Sequence, residues 1–372
     1  MSTLFVPGRL CLLGEHSDWA GGYRISHPDL HEGYCLVVGT DQGLWAEAEP
    51  LSDAFEITTR LPGGEEIGPA RIAWRADSLD AAVRGSDFFG YAAGAAAEMR
   101  ERFDVGGLRL RIEADLPVRK GLSSSAAVCV LVARAFARSY GIALGVQAEM
   151  DVAFAGERRT GSECGRMDQV CAYGRRATFL RFDGDAFEVE LLAPCGDLHL
   201  LVVDLRRGKD TRRILSDLNA CFPDAPGPRA AAVRRALGPD NAALLARARR
   251  AVEHADAAAL GALMTEAQAL FDERVAPACP ELAAPRLHQV LSQPAVAELG
   301  YGGKGVGSQG DGCAQIVARG PDQRRRLARL LEEALDVICL PLTVEPGADP
   351  SSRVAAGDAP TRTGVSPRPG PT

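Results

Sequence analysis

Residues 116–128 join a predicted loop to the start of a predicted helix in a way that suits an anion. The segment reads LPVRKGLSSSAAV, with Gly121 and three consecutive serines between a strand and a helix. The first turn of a helix carries unpaired backbone N–H groups and the positive end of the helix dipole, which together attract phosphate. Serine hydroxyls can cap the helix, bond phosphate oxygens or ligate Mg²⁺. Taken by itself, the segment fits an ordinary serine cap equally well.

A second segment, residues 7–22, reads PGRLCLLGEHSDWAGG and concentrates charge among glycines. It presents a cation (Arg9), two carboxylates (Glu15 and Asp18) and an imidazole (His16) within ten residues. Ligands rich in hydroxyl groups need such neighbouring donors and acceptors to fix their orientation. The alternative is a solvated loop with unrelated charges, and a lone histidine is more often structural than catalytic.

The third segment, residues 161–174, reads GSECGRMDQVCAYG and contains Asp168 in the otherwise uncharged stretch MDQV. Glu157 precedes it by eleven residues. A carboxylate near a hydroxyl can orient that hydroxyl or accept its proton during phosphoryl transfer. Asp168 by itself fits a helix cap or an ion pair with an arginine as well.

The fourth segment, residues 302–313, reads GGKGVGSQGDGC and formally matches GxGxxG from Gly305 to Gly310. We predict no strand before it and a strand after it, whereas a dinucleotide-binding turn follows a strand and opens a helix. The sequence also contains no GxxxxGK[ST] motif. The segment therefore predicts either a glycine-rich turn whose backbone lies against a ligand or a flexible linker.

Periodicity predicts the elements that carry these segments. Residues 107–115 alternate apolar and polar side chains, as a half-buried strand does, and residues 123–141 resemble a buried helix. The pattern predicts further a hairpin over 178–192, strands over 198–204, 313–318 and 340–345, and helical sequence over 241–272 and 321–337. We expect two domains, residues 1–195 and 196–345, followed by a disordered tail, 346–372, that is rich in Pro, Gly, Ser and Ala.

Bulk composition narrows the classes of function. The 372 residues are 46% hydrophobic and 24% charged, with a net charge of −7, so a nucleic-acid partner is not expected. Ten scattered cysteines without a CxxC pair indicate thiols in a reducing cytosol. The N-terminus lacks the pattern of a signal peptide, and no apolar run suits a bilayer. We expect a cytoplasmic protein without a membrane partner, either a monomer or a homodimer.

In their order along the chain, the four segments resemble the GHMP kinase superfamily, which includes galactokinase, homoserine kinase, mevalonate kinase and phosphomevalonate kinase. LPVRKGLSSSAAV resembles the phosphate-binding motif P-x-x-x-G-L-S-S-S-A, and PGRLCLLGEHSDWAGG resembles the galactokinase signature PGRVNLIGEHTDY. CGRMDQ is similar to the galactokinase CGIMDQ, and GVGSQGDGCAQ is more loosely similar to the glycine-rich third motif. The resemblance implies an α/β fold of two domains, a mixed α/β N-terminal domain and a ferredoxin-like α+β C-terminal domain.

The resemblance also implies roles for individual residues. Asp168 and Arg9 would be catalytic, and Glu15, His16, Asp18 and Asp168 would bind the acceptor. The implied phosphate-binding residues for ATP are Gly121, Leu122, Ser123, Ser124, Ser125 and Ala126. Ser125 and Glu157 would hold Mg²⁺. Gly307, Ser308 and Gly310 would close the site from the second domain.

These residues together predict an ATP-dependent kinase for a small molecule, with a monosaccharide hydroxyl, the anomeric one by analogy with galactokinase, as the acceptor. The alternatives are a kinase for a non-sugar alcohol such as a mevalonate-like acceptor, and a catalytically silent sugar sensor. Trp19 replaces the usual tyrosine, and Gln309 and Asp311 replace small residues, so galactose itself does not follow. Lys209 and Asp210 fit either substrate contacts or a solvated turn. A uronic acid would need a cation, for which Arg24 and Lys209 are candidates.

Overall fold

A computed structural model describes residues 4–85, 88–116, 121–162 and 164–346, and places eleven strands in two sheets. The first sheet contains β1 (Leu4–Leu13), β2 (Gly33–Leu51), β3 (Ala54–Arg60), β4 (Glu66–Ala73), β5 (Gly107–Ala114), β6 (Ala177–Asp183) and β7 (Ala186–Leu192). The second sheet contains β8 (Leu198–Asp204), β9 (Gly300–Gly305), β10 (Cys313–Ala318) and β11 (Ile338–Val344).

The first sheet is organised around β2, a strand of 19 residues. The strand order is β4-β3-β5-β2-β6-β7, and β1 pairs with β2 outside this path. The β3–β5 pair is parallel, and the other pairs are antiparallel. The register between β1 and β2 shifts between Pro7 and Arg9, so Arg9 follows an irregularity in the strand. The long strand thereby joins the second candidate segment, residues 7–22, to the rest of the sheet.

Four helices lie between strands of the first sheet along the chain: α2 (Ala76–Val83), α3 (Phe88–Arg102), α4 (Ser124–Ser139) and α5 (Val146–Arg159). Helix α4 buries residues 126–133 and 135–137, because it contacts β1, β2, α3 and α5, whereas Arg134 between them is only partly buried. Helices α3 and α5 approach closely where Gly94 meets Gly156. A Cβ added at either glycine would overlap the backbone of the other helix.

The remaining helices are short α1 (Ser17–Gly22) and those of the C-terminal half: α6 (Thr211–Asn219), α7 (Pro228–Arg235), α8 (Asn241–Glu253), α9 (Ala257–Arg274), α10 (Pro285–Leu291), α11 (Pro294–Leu299) and α12 (Pro321–Ala334). The second sheet has the order β11-β8-β10-β9 and is antiparallel throughout. Counted within this sheet the order is 4-1-3-2, which is the ferredoxin-like arrangement that the sequence predicted. The mixed α/β architecture is likewise confirmed.

Most predicted elements appear with small differences in their ends. The helical sequence predicted over 241–272 forms two helices, α8 and α9, and Asp256 caps the start of α9 by accepting from the N–H of Ala259 at 2.9 Å. The expectation that no strand precedes the glycine-rich turn is wrong, because β9 ends at Gly305. A strand nevertheless follows, so the dinucleotide-binding interpretation still fails. The predicted tail falls almost entirely outside the described residues, and the domain boundary near residue 195 stays a prediction.

Side-chain hydrogen bonds link the two sheets. Nε2 of Gln315 on β10 donates to the carbonyl of Cys11 on β1 at 2.8 Å, and both residues are buried. At the surface, Asp41 accepts from the N–H of Thr343 at 3.1 Å, and Gln42 donates to the carbonyl of Pro341 at 3.2 Å. The first of these contacts places the second candidate segment beside β10, the strand that begins at the end of the fourth segment. Among the described residues, no helix has the length and apolar character needed to cross a membrane.

Candidate functional site

A cavity of about 880 Å³ is lined by residues of all four candidate segments. One end is apolar, the middle carries the serine run, and the other end is polar. The apolar end is lined by Leu44, Leu61, Phe88, Tyr91, Ala114 and Leu116. Thr59 also lies there, and its buried Oγ1 makes no hydrogen bond within the described residues. The sequence reasoning did not find this end, because apart from Leu116 its residues lie in or next to β2, β3, β5 and α3 and share no motif.

The serine run forms the middle of the cavity at the start of α4. Ser123 precedes the helix with φ 53°, and its side chain makes no capping hydrogen bond. The interpretation as an ordinary serine cap is therefore wrong for this residue. Ser123, Ser124 and Ser125 line the cavity together with Gly121, whose φ is 81°. Three hydroxyls thus accompany the unpaired N–H groups of the first turn.

Two predicted phosphate-binding residues lie behind this surface. Leu122 is buried, and its carbonyl accepts from the backbone N–H of Arg9 at 3.0 Å. Ala126 is buried in the first turn of α4. Neither residue is among those that line the cavity. Residues 117–120, which complete the predicted motif, lie outside the described residues.

Glu157 on α5 contacts the serine run from behind. Oγ of Ser125 donates to its carboxylate at 2.7 Å, and Nε2 of Gln169 donates to the other oxygen at 2.8 Å. The side chain is only 2% exposed, and burial, followed by the nearby charge of Asp168, raises the pKa of Glu157 to about 7. No ion pair to this carboxylate occurs in the described part of the chain. An oxygen donor set with a buried, uncompensated negative charge fits a hard divalent cation such as Mg²⁺.

Arg9 and Asp168 form an ion pair beside the serine run. Nε of Arg9 donates to Oδ1 of Asp168 at 3.0 Å, and a second guanidinium nitrogen donates to the same oxygen. The remaining nitrogen donates to the carbonyl of Gly121 at 3.0 Å. Burial opposes the charge of Arg9, but the neighbouring Asp168 outweighs it, so the pKa of the guanidinium is raised. One carboxylate oxygen of Asp168 is left facing the cavity without a hydrogen bond from the described residues, and the side chain is 22% exposed.

His16 and Asp18 line the polar end. His16 has φ 68°, and its Nδ1 accepts from the indole N–H of Trp19 at 3.1 Å, so the neutral ring carries its proton on Nε2. Nε2 is buried and makes no well-formed hydrogen bond within the described residues, although the Ser308 backbone is close. Burial, with a smaller contribution from Lys209, lowers the pKa of His16 to about 4. Burial and then the charge of Asp168 raise the pKa of Asp18 to about 6.

Glu15 has a partner that the sequence reasoning did not predict. Lys304 on β9 donates to the carboxylate of Glu15 and, at 2.8 Å, to the carbonyl of Gly305. The two side chains are 3% and 5% exposed, so the ion pair is buried between the sheets. Glu15 still lines the cavity, but one of its oxygens is occupied by Lys304. The signal in the sequence was a single lysine inside the glycine-rich fourth segment.

The fourth segment closes the cavity against the serine loop. A Cβ placed at Gly307 would lie 3.6 Å from Cα of Gly121, so the two loops are neighbours. Gly307 and Ser308 line the cavity, whereas Gly310 lies beside Glu281 and Ile214 and is not part of the lining. Gln309 and Asp311, which depart from the superfamily pattern, have structural partners: Lys209 donates to the carbonyl of Gln309, and Asp311 accepts from the start of α10.

The structure distinguishes between Lys209 and Arg24, the two cations that the sequence offered as candidates for binding a uronic acid. Lys209 lines the cavity, and its ammonium donates to the carbonyls of Val306 at 3.2 Å and Gln309 at 2.7 Å. Arg24 instead pairs with Asp183 at 2.6 Å, away from the cavity. Asp210 caps α6 by accepting from the N–H of Arg213 at 3.0 Å, and it also borders the cavity.

Comparison with known proteins finds similarity to the kinases that the sequence motifs resemble. The family model described as GHMP kinases N terminal domain matches residues 90–175. A galactokinase from Thermococcus kodakarensis is 26% identical over 205 residues, 54% of this chain and 52% of its own length. A galactokinase from Lactobacillus helveticus is 28% identical over 215 residues, 54% of this chain and 50% of its own. The chain thus spans about half the length of these curated relatives.

Solved structures share the fold over a larger part of the chain. The galactokinase of Lactococcus lactis, complexed with galactose, superposes with a TM-score of 0.69 at 18% identity and covers 93% of both chains. The mevalonate kinase of Methanococcus jannaschii gives a TM-score of 0.70 at 15% identity, covering 94% of this chain and 98% of its own. The family model, the local sequence similarity to galactokinases and the fold shared across most of the chain thus agree with the resemblance to GHMP kinases found in the sequence.

Proposed function

We propose that the protein is an ATP-dependent kinase that transfers the γ-phosphoryl group of Mg·ATP to a hydroxyl of a monosaccharide, the anomeric hydroxyl by analogy with galactokinase. The observation that carries the proposal is the Arg9–Asp168 pair, which lies in one cavity with the serine run of α4. A nucleophile-orienting carboxylate, a cation and a phosphate-binding helix start are the parts that phosphoryl transfer requires.

The layout of the cavity suggests where each substrate binds. The apolar end suits a nucleotide base, and Thr59 offers it an unpaired hydroxyl. The serine run and the N–H groups of α4 suit the phosphates. The polar end, with His16 and Asp18, suits the hydroxyl groups of a sugar.

In this arrangement Asp168 orients the acceptor hydroxyl or accepts its proton. Arg9 holds one oxygen of Asp168 in place and lies where negative charge develops on the acceptor oxygen and the transferred group. Ser125 and Glu157 would hold Mg²⁺, which neutralises charge on the phosphates. The glycine-rich turn at Gly307 excludes water from the second side.

Two alternatives to a sugar kinase follow from the same fold and site. The fold fits a mevalonate-like alcohol as acceptor equally well, because mevalonate kinase and galactokinase structures superpose on this chain with similar TM-scores. The curated galactokinase relatives and the placement of both His16 and Asp18 in the cavity favour a sugar. A silent sensor would not need an intact Arg9–Asp168 pair next to the phosphate-binding helix.

The test is ADP release with Mg·ATP and a panel of sugars: galactose, arabinose, glucuronate, galacturonate, mannose, fucose and a heptose, with mevalonate and homoserine as further acceptors. The Asp168→Asn variant should lose at least about 100-fold in kcat while still binding ATP. Asp151→Asn is the matched control, because Asp151 pairs with Arg166 and does not line the cavity. Turnover of mevalonate or homoserine alone would replace the sugar acceptor. Full activity of Asp168→Asn would contradict the role of Asp168.

A further inference from the structure

The segment RRGKDTRR, residues 206–213, divides its cations between two environments. Arg206 pairs with Asp336 at 3.0 Å, and Arg213 lies 3.8 Å from Asp217, so these two face carboxylates on the second domain. The other three cations line the cavity: Arg207, Lys209 and Arg212. Within the described residues, none of these three forms an ion pair with a carboxylate.

Lys209 is the innermost of the three. Its ammonium contacts two backbone carbonyls, and its Cε and Nζ pack against Gly312. Glu15, the carboxylate whose charge acts on Lys209, is already bound by Lys304. Burial lowers the pKa of Lys209 to about 8. A partly buried cation without an anionic partner is unfavourable, and an anion that binds beside it removes that penalty.

The position of Lys209 relates it to the acceptor end of the cavity. Its charge acts on His16, Glu15 and Arg9. The neutral His16 ring adds a buried Nε2–H donor on the same side. An ammonium and an imidazole N–H are donors that suit a carboxylate or phosphate oxygen. Arg207 and Arg212 are exposed and extend the positive charge to the mouth.

We propose that the acceptor sugar carries an anionic group, a carboxylate or a phosphate, which binds Lys209 while Asp18 and Asp168 contact its hydroxyl groups. The inference rests on the proposed kinase function and narrows its substrate class. It explains why a cavity with two acidic side chains for hydroxyls also contains three cations without carboxylate partners.

The experiment compares matched acceptors: galactose, galacturonate and galactose 6-phosphate, and the corresponding glucose and mannose sets. The expected result is a kcat/KM at least about tenfold higher for an anionic member than for its neutral partner. Preference for the uronate or for the sugar phosphate identifies which anion is bound. In Lys209→Met the ratio of anionic to neutral kcat/KM should fall at least about tenfold, with the KM for ATP unchanged.

Two further variants keep the test decisive. Arg212→Gln, at an exposed position, should lower the same ratio by a smaller factor even if Lys209→Met folds poorly. Arg206→Gln is the matched control and should leave the ratio unchanged, because Arg206 pairs with Asp336 outside the cavity.

Turnover of neutral sugars with no preference for anionic ones would overturn this inference without contradicting the proposed kinase function. A rise in the KM for ATP in Lys209→Met would overturn it too, by assigning Lys209 to the nucleotide. Absence of phosphorylation for every sugar would reject the proposed function and this inference together.

Discussion

Replacing Glu157 with glutamine should stabilise the ligand-free protein at pH 8 and at the same time impair Mg²⁺-dependent activity. The carboxylate is buried without an ion pair in the described part of the chain, and its pKa is raised to about 7, first by burial and then by Asp168. Glutamine keeps an oxygen for the hydroxyl of Ser125. Once the amide of Gln169 turns over, its Oε1, which has no hydrogen bond within the described residues, can accept from the amide of the new glutamine.

The direction in which stability changes with pH follows from the raised pKa of Glu157. Between about pH 4.5 and pH 7 the folded protein keeps a proton that the unfolded chain has released, so folding becomes less favourable as the pH rises through that window. The stabilising contribution is fully present below the unfolded pKa and is lost above the folded one. One pKa unit corresponds to about 1.4 kcal/mol, so Glu157→Gln should gain about 1–3 kcal/mol in the free energy of unfolding at pH 8. Below about pH 4.5 the difference should vanish.

The assay is urea unfolding of both proteins at pH 5 and pH 8, first without ligands and then with Mg·ATP. The wild type should gain more stability from Mg·ATP than the variant, because the variant lacks a charged oxygen ligand. Glu149→Gln is the control on the same helix: Glu149 accepts from Nη2 of Arg134 at 2.7 Å, so its loss should destabilise the protein by about 3 kcal/mol. If Glu157→Gln were as destabilising as Glu149→Gln at both pH values, the argument from desolvation would be wrong.

Three further predictions concern the same cavity. Lys304→Met should lower the free energy of unfolding in urea by about 3–5 kcal/mol, because it leaves Glu15 buried and unpaired. Adding Glu15→Gln should recover most of this loss, and a loss below about 1 kcal/mol would mean that water reaches the pair. Gly165→Ala should raise the acceptor KM more than the KM for ATP, because a Cβ there would overlap the carboxylate of Asp18, whereas Gly63→Ala points into open space and should change neither; equal effects on both substrates would contradict this. Asp18→Asn should flatten the fall in stability between about pH 4 and pH 6, since the pKa of Asp18 is raised to about 6, and an unchanged pH profile of unfolding would disprove the shift.

Local sequence patterns were sufficient to predict an element where burial of one of its faces determines its structure. The alternation in residues 107–115 identified β5, because Leu108, Leu110 and Ile112 are buried while the residues between them are more exposed. Strands β8 and β10 were identified from continuous apolar runs, which match the bounds of the two strands. The serine run was identified for a related reason, since a helix start after a glycine loop has a local signature.

Contacts between distant segments could not be predicted in this way. The partners Glu15 and Lys304 are separated by 289 positions, and nothing local links them. Four of the six residues of β9 are glycine, which has low strand propensity, and the strand forms because β10 pairs with it and α9 packs against it. The apolar end of the cavity is likewise assembled from several elements, each of which looks like ordinary core sequence.

The contact of Gly94 with Gly156 has a consequence for how this sequence can diverge. Glu157 follows Gly156 directly, so the position of its carboxylate behind Ser125 depends on how closely α3 and α5 approach. Both residues at the contact already have the smallest possible side chain, so neither position can compensate for enlargement of the other. Mutational drift is therefore blocked at two sites that touch no ligand. A library selected for turnover should keep both codons as glycine, although neither residue lines the cavity.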